Sequence, residues 1–209
     1  IGSINLSDRA TNRIFSSGNN LLTVGADTVI RGAGQLGVNQ TTFNNQGTVL
    51  AQGANTLTID SAGFTNNGTL RAEGSGGLNI STATLNNNTS VDVNNGSRLQ
   101  VNSSAVNGVF NNTAGGTFTA ESSTFDSATI NGQITQVNAR TNTFTNGLTV
   151  NGNFNVNSTG HNTDLFFSGA QSIDGNGSIV LSDRTTNRIF SSGNNLLTVG
   201  ADTVIRGAG

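Results

Sequence analysis

The sequence predicts an all-β protein, a parallel β-helix (solenoid) of about 9–10 coils with roughly 20 residues in each coil. Three observations lead to this fold class. The end of the chain repeats its beginning, and its middle repeats with a period of about 21 residues. Its polar residues are mainly Asn, Thr, Ser and Gly, without the high charge typical of disordered chains. Together they indicate stacked turns of chain in which equivalent residues lie above one another.

The longest internal match joins residues 2–34 to residues 177–209. Compositional bias does not produce a match of this length, so the match indicates a true tandem duplication. Only two positions differ between the copies, Asn5/Val180 and Ala10/Thr185.

The duplication also predicts how the chain is divided. Residues 1–175 would form one full tandem repeat, and residues 176–209 would be the start of the next repeat. The junction has ordinary turn residues and no proline, so we expect both parts to continue one rod.

The shorter period is clearest between Phe43 and Val106. Consecutive blocks begin FNNQGT, FTNNGT and LNNNTS, and apolar residues alternate with polar ones inside each block. This alternation is typical of short strands with one buried face, and the Asn and Gly steps between them favour turns. The predicted internal stacks are Phe43/Phe64/Leu85/Val106 and Ile59/Ile80/Val101, and the predicted amide ladder is Asn45/Asn66/Asn87.

The second half of the repeat follows the same pattern less regularly. Phe125 and Phe144 occupy equivalent places, and so do the steps beginning Asn131-Gly132 and Asn151-Gly152. At the strand spacing of a β-sheet, the whole repeat predicts a rod about 40 Å long.

The segment Ser7 to Asn20 is too long for a simple turn and predicts a protruding loop or a widened coil. It contains Asp8, Arg9 and Arg13, and the second copy contains Asp183, Arg184 and Arg188. One hypothesis is a local ion pair that pins the loop, which would stabilise an exposed site only weakly. The other is a contact surface for a glycan or a neighbouring fibre, made avid by repetition.

The composition argues against several classes of protein. The formal net charge is −2 and no basic patch is evident, so we expect no nucleic-acid binding. No apolar run is long enough to predict a membrane span. Without cysteine there are no disulfides or cysteine-based metal sites, and we predict no metal and no cofactor.

No set of catalytic residues is evident, and we predict that the chain is not an enzyme. The carboxylate of Asp60 is replaced by Ser81 and then Asn102 in the following coils, so acidic groups do not gather in that column. His161 is the single histidine, and its Gly and Asn neighbours favour a solvated turn.

Three strings carry a family resemblance: IRGAGQLGV from Ile30, FNNQGTVLA from Phe43 and FTNNGTLRA from Phe64. They are similar to the β-helical shafts of large bacterial surface proteins, namely filamentous-haemagglutinin-like and autotransporter-like adhesins. The resemblance implies a right-handed parallel β-helix, export across the outer membrane and an extracellular or cell-surface location. It brings no catalytic residues with it.

We therefore expect a structural repeat of a giant extracellular bacterial adhesin or fibre, a rigid stalk for attachment or cell–cell contact. The expected partners are the neighbouring repeats of the same chain, and a host or partner-cell glycan or protein. We also expect fragments to stack end to end, because solenoid ends expose unpaired strand edges. The alternative is a glycan-binding or glycan-cleaving β-helix.

Overall fold

A computed structural model describes residues 2–112 and 115–209. In these residues every helix or strand assigned is a β-strand, as the alternating sequence pattern predicts. The strands are β1 (Gly2–Asn5), β2 (Arg13–Ile14), β3 (Asn20–Val24), β4 (Thr28–Gly32), β5 (Gly34–Leu36), β6 (Thr41–Asn45), β7 (Thr48–Ala51), β8 (Leu57–Ile59), β9 (Gly63–Asn66), β10 (Thr69–Ala72), β11 (Leu78–Ser81), β12 (Thr84–Asn87), β13 (Ser90–Val93), β14 (Arg98–Asn102), β15 (Ala105–Asn112), β16 (Thr117–Glu121), β17 (Thr124–Gln136), β18 (Thr141–Val156), β19 (Thr163–Phe167), β20 (Gln171–Asp174), β21 (Ser178–Asp183), β22 (Asn187–Ser191), β23 (Leu197–Val199) and β24 (Val204–Ala208).

The described strands pair in parallel, and each pairs with its equivalent in the next coil. We name the three resulting columns of strands by their most regular members. Face A contains β6, β9 and β12, face B contains β7, β10 and β13, and face C contains β8, β11 and β14. The predicted all-β parallel β-helix is confirmed, with about nine coils.

The length of the coil varies along the rod. Ladder partners in the regular part are 21 residues apart, as between Asn45 and Asn66. The spacing falls to 19 between Asp92 and Asn111, and it rises to 26 between Asn5 and Arg31. Strands β15 and β17 run on through corners where shorter strands end, and their partners in the next coil are only 19 or 20 residues away.

The core is a continuous stack of apolar side chains along the axis of the rod. The rings of Phe43 and Phe64 lie 5.7 Å apart, and those of Phe125 and Phe144 lie 5.6 Å apart. The Phe167 ring continues the second stack, 5.0 Å from Phe144. All of these rings are fully buried, which confirms the predicted face A column and gives each coil a contact with the next.

The predicted asparagine ladder is present and lies inside the rod. Asn45 Nδ2 donates to Asn66 Oδ1 at 2.8 Å, and Asn66 Nδ2 donates to Asn87 Oδ1 at 2.9 Å. Val24 is the register partner of Asn45 in the preceding coil, so the ladder begins at Asn45. Asn45 Oδ1 therefore has no hydrogen-bond donor among the described residues, because a valine side chain cannot supply one.

Candidate contact surface

The first part of the charged segment in the first copy, residues 7–12, lies at the corner between faces B and C. These residues lie between β1 and β2 and widen the first coil, and Arg13 begins β2. Gly32 has a φ of 118° in the coil above, and a Cβ there would collide with the carbonyl oxygen of Leu6. This glycine therefore allows the backbone of the loop to lie close to the next coil.

Asp8 fastens this loop to a turn two coils further along the rod. Its Oδ1 accepts a hydrogen bond of 2.7 Å from the backbone N–H of Asn55, and Asn55 Nδ2 donates to the Asp8 carbonyl at 3.0 Å. The Asn55 N–H lowers the pKa of Asp8, because it stabilises the carboxylate. A Cβ at Gly53 would lie 2.2 Å from Asp8 Oδ1, so this glycine leaves room for the carboxylate in its observed position.

The two arginines of the charged segment in the first copy, Arg9 and Arg13, do not pair with Asp8. Arg13 Nε donates to Gln35 Oε1 of the next coil at 2.9 Å. Within the described parts of the chain, Arg9 has no ion-pair partner. Asp8 thus pins the loop by accepting from an amide, whereas the hypothesis of a local ion pair expected an arginine.

Arg188, the equivalent of Arg13, has a different partner in the second copy. Its Nε donates to Asp164 Oδ1 and its Nη2 to Asp164 Oδ2, both at 2.8 Å. Thr141 Oγ1 adds a bond of 3.1 Å to the same carboxylate, and the side chain of Asp164 is 8% exposed. Hydrogen bonding to Arg188 lowers the pKa of Asp164 and raises that of Arg188.

Two outward aromatic rings lie beside this ion pair. The Arg188 guanidinium carbon is 5.5 Å from the centre of the Phe190 ring, and the rings of Phe190 and Phe166 are 5.3 Å apart. Phe190 points outward because the neighbouring Ile189 packs against the core. We call Asp164, Phe166, Arg188 and Phe190 the aromatic–arginine patch.

Of the six charged residues predicted as a contact surface, only Arg188 belongs to the aromatic–arginine patch. Asp183 is the exposed last residue of β21 and Arg184 follows it in the loop, and no ion pair among the described residues includes either. Sequence reasoning did not connect Asp164 or Phe166 with Arg188. Residues 164 and 188 are 24 apart, one widened coil, so a fixed period of 21 residues does not place them side by side.

The patch can make contacts, but its chemistry does not point to a reaction. A planar guanidinium held by a carboxylate, beside two stacked rings, offers cation–π, polar and apolar contacts to a ligand. In residues 2–112 and 115–209, no three His, Cys, Asp or Glu side chains are placed to hold a metal. His161 lies on an exposed turn, and its carbonyl accepts from Ser158 Oγ at 2.7 Å.

No helix among the described residues has the length and hydropathy needed to cross a membrane. Comparisons with protein-family models, curated proteins and solved structures found no match for this chain.

Proposed function

We propose that this chain is a structural repeat of an extracellular bacterial adhesin or fibre, and that it forms a rigid rod-like stalk. Parallel backbone ladders connect successive coils on all three faces. The buried phenylalanine stack and asparagine ladder add side-chain contacts between coils. Nearest-neighbour contacts of this kind make stability accumulate along a rod.

The burial of equivalent apolar residues in the two copies carries the proposal. Ile4 is 44% exposed and Ile179 is fully buried, because only Ile179 has a coil on both sides. Ile205 is 39% exposed and Ile30 is 1% exposed, for the same reason at the other end. Both isoleucine positions are therefore buried when a coil lies on each side, as it would in a chain in which one repeat continues into the next.

Electron microscopy of proteins with one, two and three tandem repeats tests the stalk. Each added repeat should lengthen a straight rod of constant width by about 40 Å. Separate globular particles joined by flexible segments, or compact particles whose length does not grow with repeat number, would contradict the proposal.

End-to-end association is part of the same proposal. Ile4 at one end of the rod and Val199 and Ile205 at the other lie in inward-facing columns, yet they are 44%, 42% and 39% exposed because each has a coil on one side only. Their burial by a second molecule would contribute about 25 cal/mol per Å² of apolar surface. Light scattering should show a mass that rises with concentration, and a monomer over the whole range would contradict end-to-end association.

Glycan binding is a second candidate function, supported by the aromatic–arginine patch. Phe190 is 39% exposed beside Arg188, and rings beside charged groups offer both stacking and polar contacts to a sugar. A screen of immobilised glycans with the parent protein and with Phe190→Ala tests this function. Loss of a specific signal in the variant would support it, and an unchanged profile would exclude this patch.

A further inference from the structure

The two copies of the duplicated stretch lie on different faces of the rod. Ile30 in β4 pairs with Val49 in β7, which places this strand on face B. Its equivalent in the second copy is Ile205 in β24, which pairs with Ile179 in β21. Strand β21 continues the column of β18, β17, β16 and β14, and that column is face C.

The other strands of the stretch are displaced in the same direction. Leu22 in β3 pairs with Phe43 on face A, whereas its equivalent Leu197 in β23 pairs with Gln171 of β20. Strand β20 continues the column of β18, β17, β15 and β13, which is face B.

The arginines follow the same rule. Arg13 in β2 lies beside β5 on face C, because β5 pairs with β8. Arg188 in β22 pairs with Asp164 of β19, and β19 continues face A through β18. All three faces therefore advance by one, from A to B, from B to C and from C to A.

The advance has a simple cause in the number of coils. Strand β15 spans two faces, and β17 and β18 each span three. Counted by faces, the path from β1 to β21 therefore passes eight complete coils of three faces and one additional face. The spacing of 175 residues between Gly2 and Gly177, divided by the regular coil of 21, likewise gives eight and one third. The repeat is therefore not a whole number of coils.

We propose that successive repeats in the array are related by a screw, an advance of one face combined with a rise of about 40 Å along the rod. This inference rests on the proposed function, because it requires repeats that continue one rod. A surface carried by one repeat then returns to the same face only after three repeats, or about 120 Å.

The screw determines which partner the aromatic–arginine patch can engage. Arg188 occupies face A in this chain, and its equivalents in the following repeats occupy faces B and C. A flat, one-sided partner therefore meets only every third patch, which removes most of the avidity of closely spaced sites. Patches distributed over all three faces fit a partner that surrounds the rod, such as a polymer network.

Labelled arrays test the screw. The chain has no cysteine, and Ala26 and its equivalent Ala201 are both exposed, so Ala→Cys at this position in every repeat gives one label site per repeat. In a six-repeat array carrying gold clusters, cryo-electron tomography should show successive particles about 40 Å apart and rotated by about a third of a turn.

The tomograms separate failure of the screw from failure of the rod. Straight rods with all particles on one side would overturn the screw and leave the stalk proposal intact. Arrays that form no continuous rod would overturn both. A control array with a single labelled repeat should show one particle per rod, and it provides the error in each measured azimuth.

Discussion

The two copies of the duplicated stretch have nearly the same sequence and the same local conformation. Asn19 and Asn194 have φ values of 58° and 62°, and Gly32 and Gly207 have values of 118° and 113°. Asn12 Nδ2 donates to the Ser7 carbonyl at 2.6 Å, and its equivalent Asn187 donates to the Ser182 carbonyl at 2.7 Å. Local structure therefore follows from sequence here, whatever lies beside it.

The copies differ in what surrounds them. Val24 is 2% exposed below the coil that contains Asn45, whereas Val199 is 42% exposed. One sequence difference also matters, because Asn5 Oδ1 accepts from Arg31 Nε at 2.5 Å, and Val180 cannot accept from the corresponding Arg206. The burial of Val24 and Val199 therefore depends on the neighbouring coils, whereas the bond to Asn5 depends on the residue at that position of each copy.

The largest expected effect is at the isoleucines. Ile179→Ala should lower the free energy of unfolding by about 2–5 kcal/mol, because it leaves a cavity in a closed core. Ile4→Ala should cost less than about 1 kcal/mol, since this side chain is already 44% exposed. Urea unfolding monitored by circular dichroism measures both.

At the other pair of equivalent isoleucines, Ile30 and Ile205, the larger loss of stability should be in the first copy and not in the second. Ile30→Ala should cost more than Ile205→Ala, because Ile30 is 1% exposed and Ile205 is 39% exposed. This reciprocal pair is the control, since both comparisons keep the residue type and the sequence context. Equal losses within either pair would show that adjacent coils do not determine the cost.

The next largest loss of folding stability is expected at the asparagines whose side chains hydrogen-bond across the two loops, Asn12 and Asn187. Asn187 is 1% exposed, and its Oδ1 accepts from the Ser158 N–H at 3.1 Å while its Nδ2 donates to the Ala208 carbonyl at 2.9 Å. Asn187→Ala should cost about 2–3 kcal/mol, because it leaves buried polar groups unpaired. Asn12→Ala should cost about 1 kcal/mol in the same urea experiment, and a larger loss than for Asn187→Ala would contradict the prediction.

A pH titration should separate the arginines. The pKa of Asp164 is lowered in the folded chain, so its ion pair stabilises the fold above the ordinary value of 3.8. This contribution is lost as the pH falls from that value through the lowered pKa of the folded state. The free energy of unfolding at neutral pH, minus its value in acid, should be smaller in Arg188→Gln than in the parent protein. It should stay unchanged in Arg13→Gln, whose parent arginine bonds to an amide; equal changes in both variants would refute the assignment.

The smallest effect is at the aspartates. Asp8→Ala should accelerate hydrogen exchange at the Asn55 amide, because it removes the acceptor of that N–H. Asp183→Ala is the matched control and should leave exchange in the rest of the rod unchanged. Protection at Asn55 that survives in Asp8→Ala would mean that the loop is held in another way.

Much of the fold was predictable because side chains repeat at the coil period. Phe43, Phe64 and the Asn45 ladder were found from spacing alone, and each lies in the predicted column. The partnership of Arg188 with Asp164 was missed, because the coil widens there and a fixed period of 21 does not join them. Where the coil length changes, the register between neighbouring strands depends on how the corners pack. A repeat period read from the sequence does not give that register.

The sequence by itself determined the coil, the inward columns and the local conformation of the duplicated stretch, because these depend on alternation, turn residues and hydrogen bonds within a few residues. Only the tertiary structure decided which of two equivalent residues in the copies is covered by a coil on both sides, and which face each copy occupies. These properties depend on strands about one coil apart in sequence and on the sum of all intervening coil lengths. For this reason the equivalent strands that carry Arg13 and Arg188 lie on faces C and A.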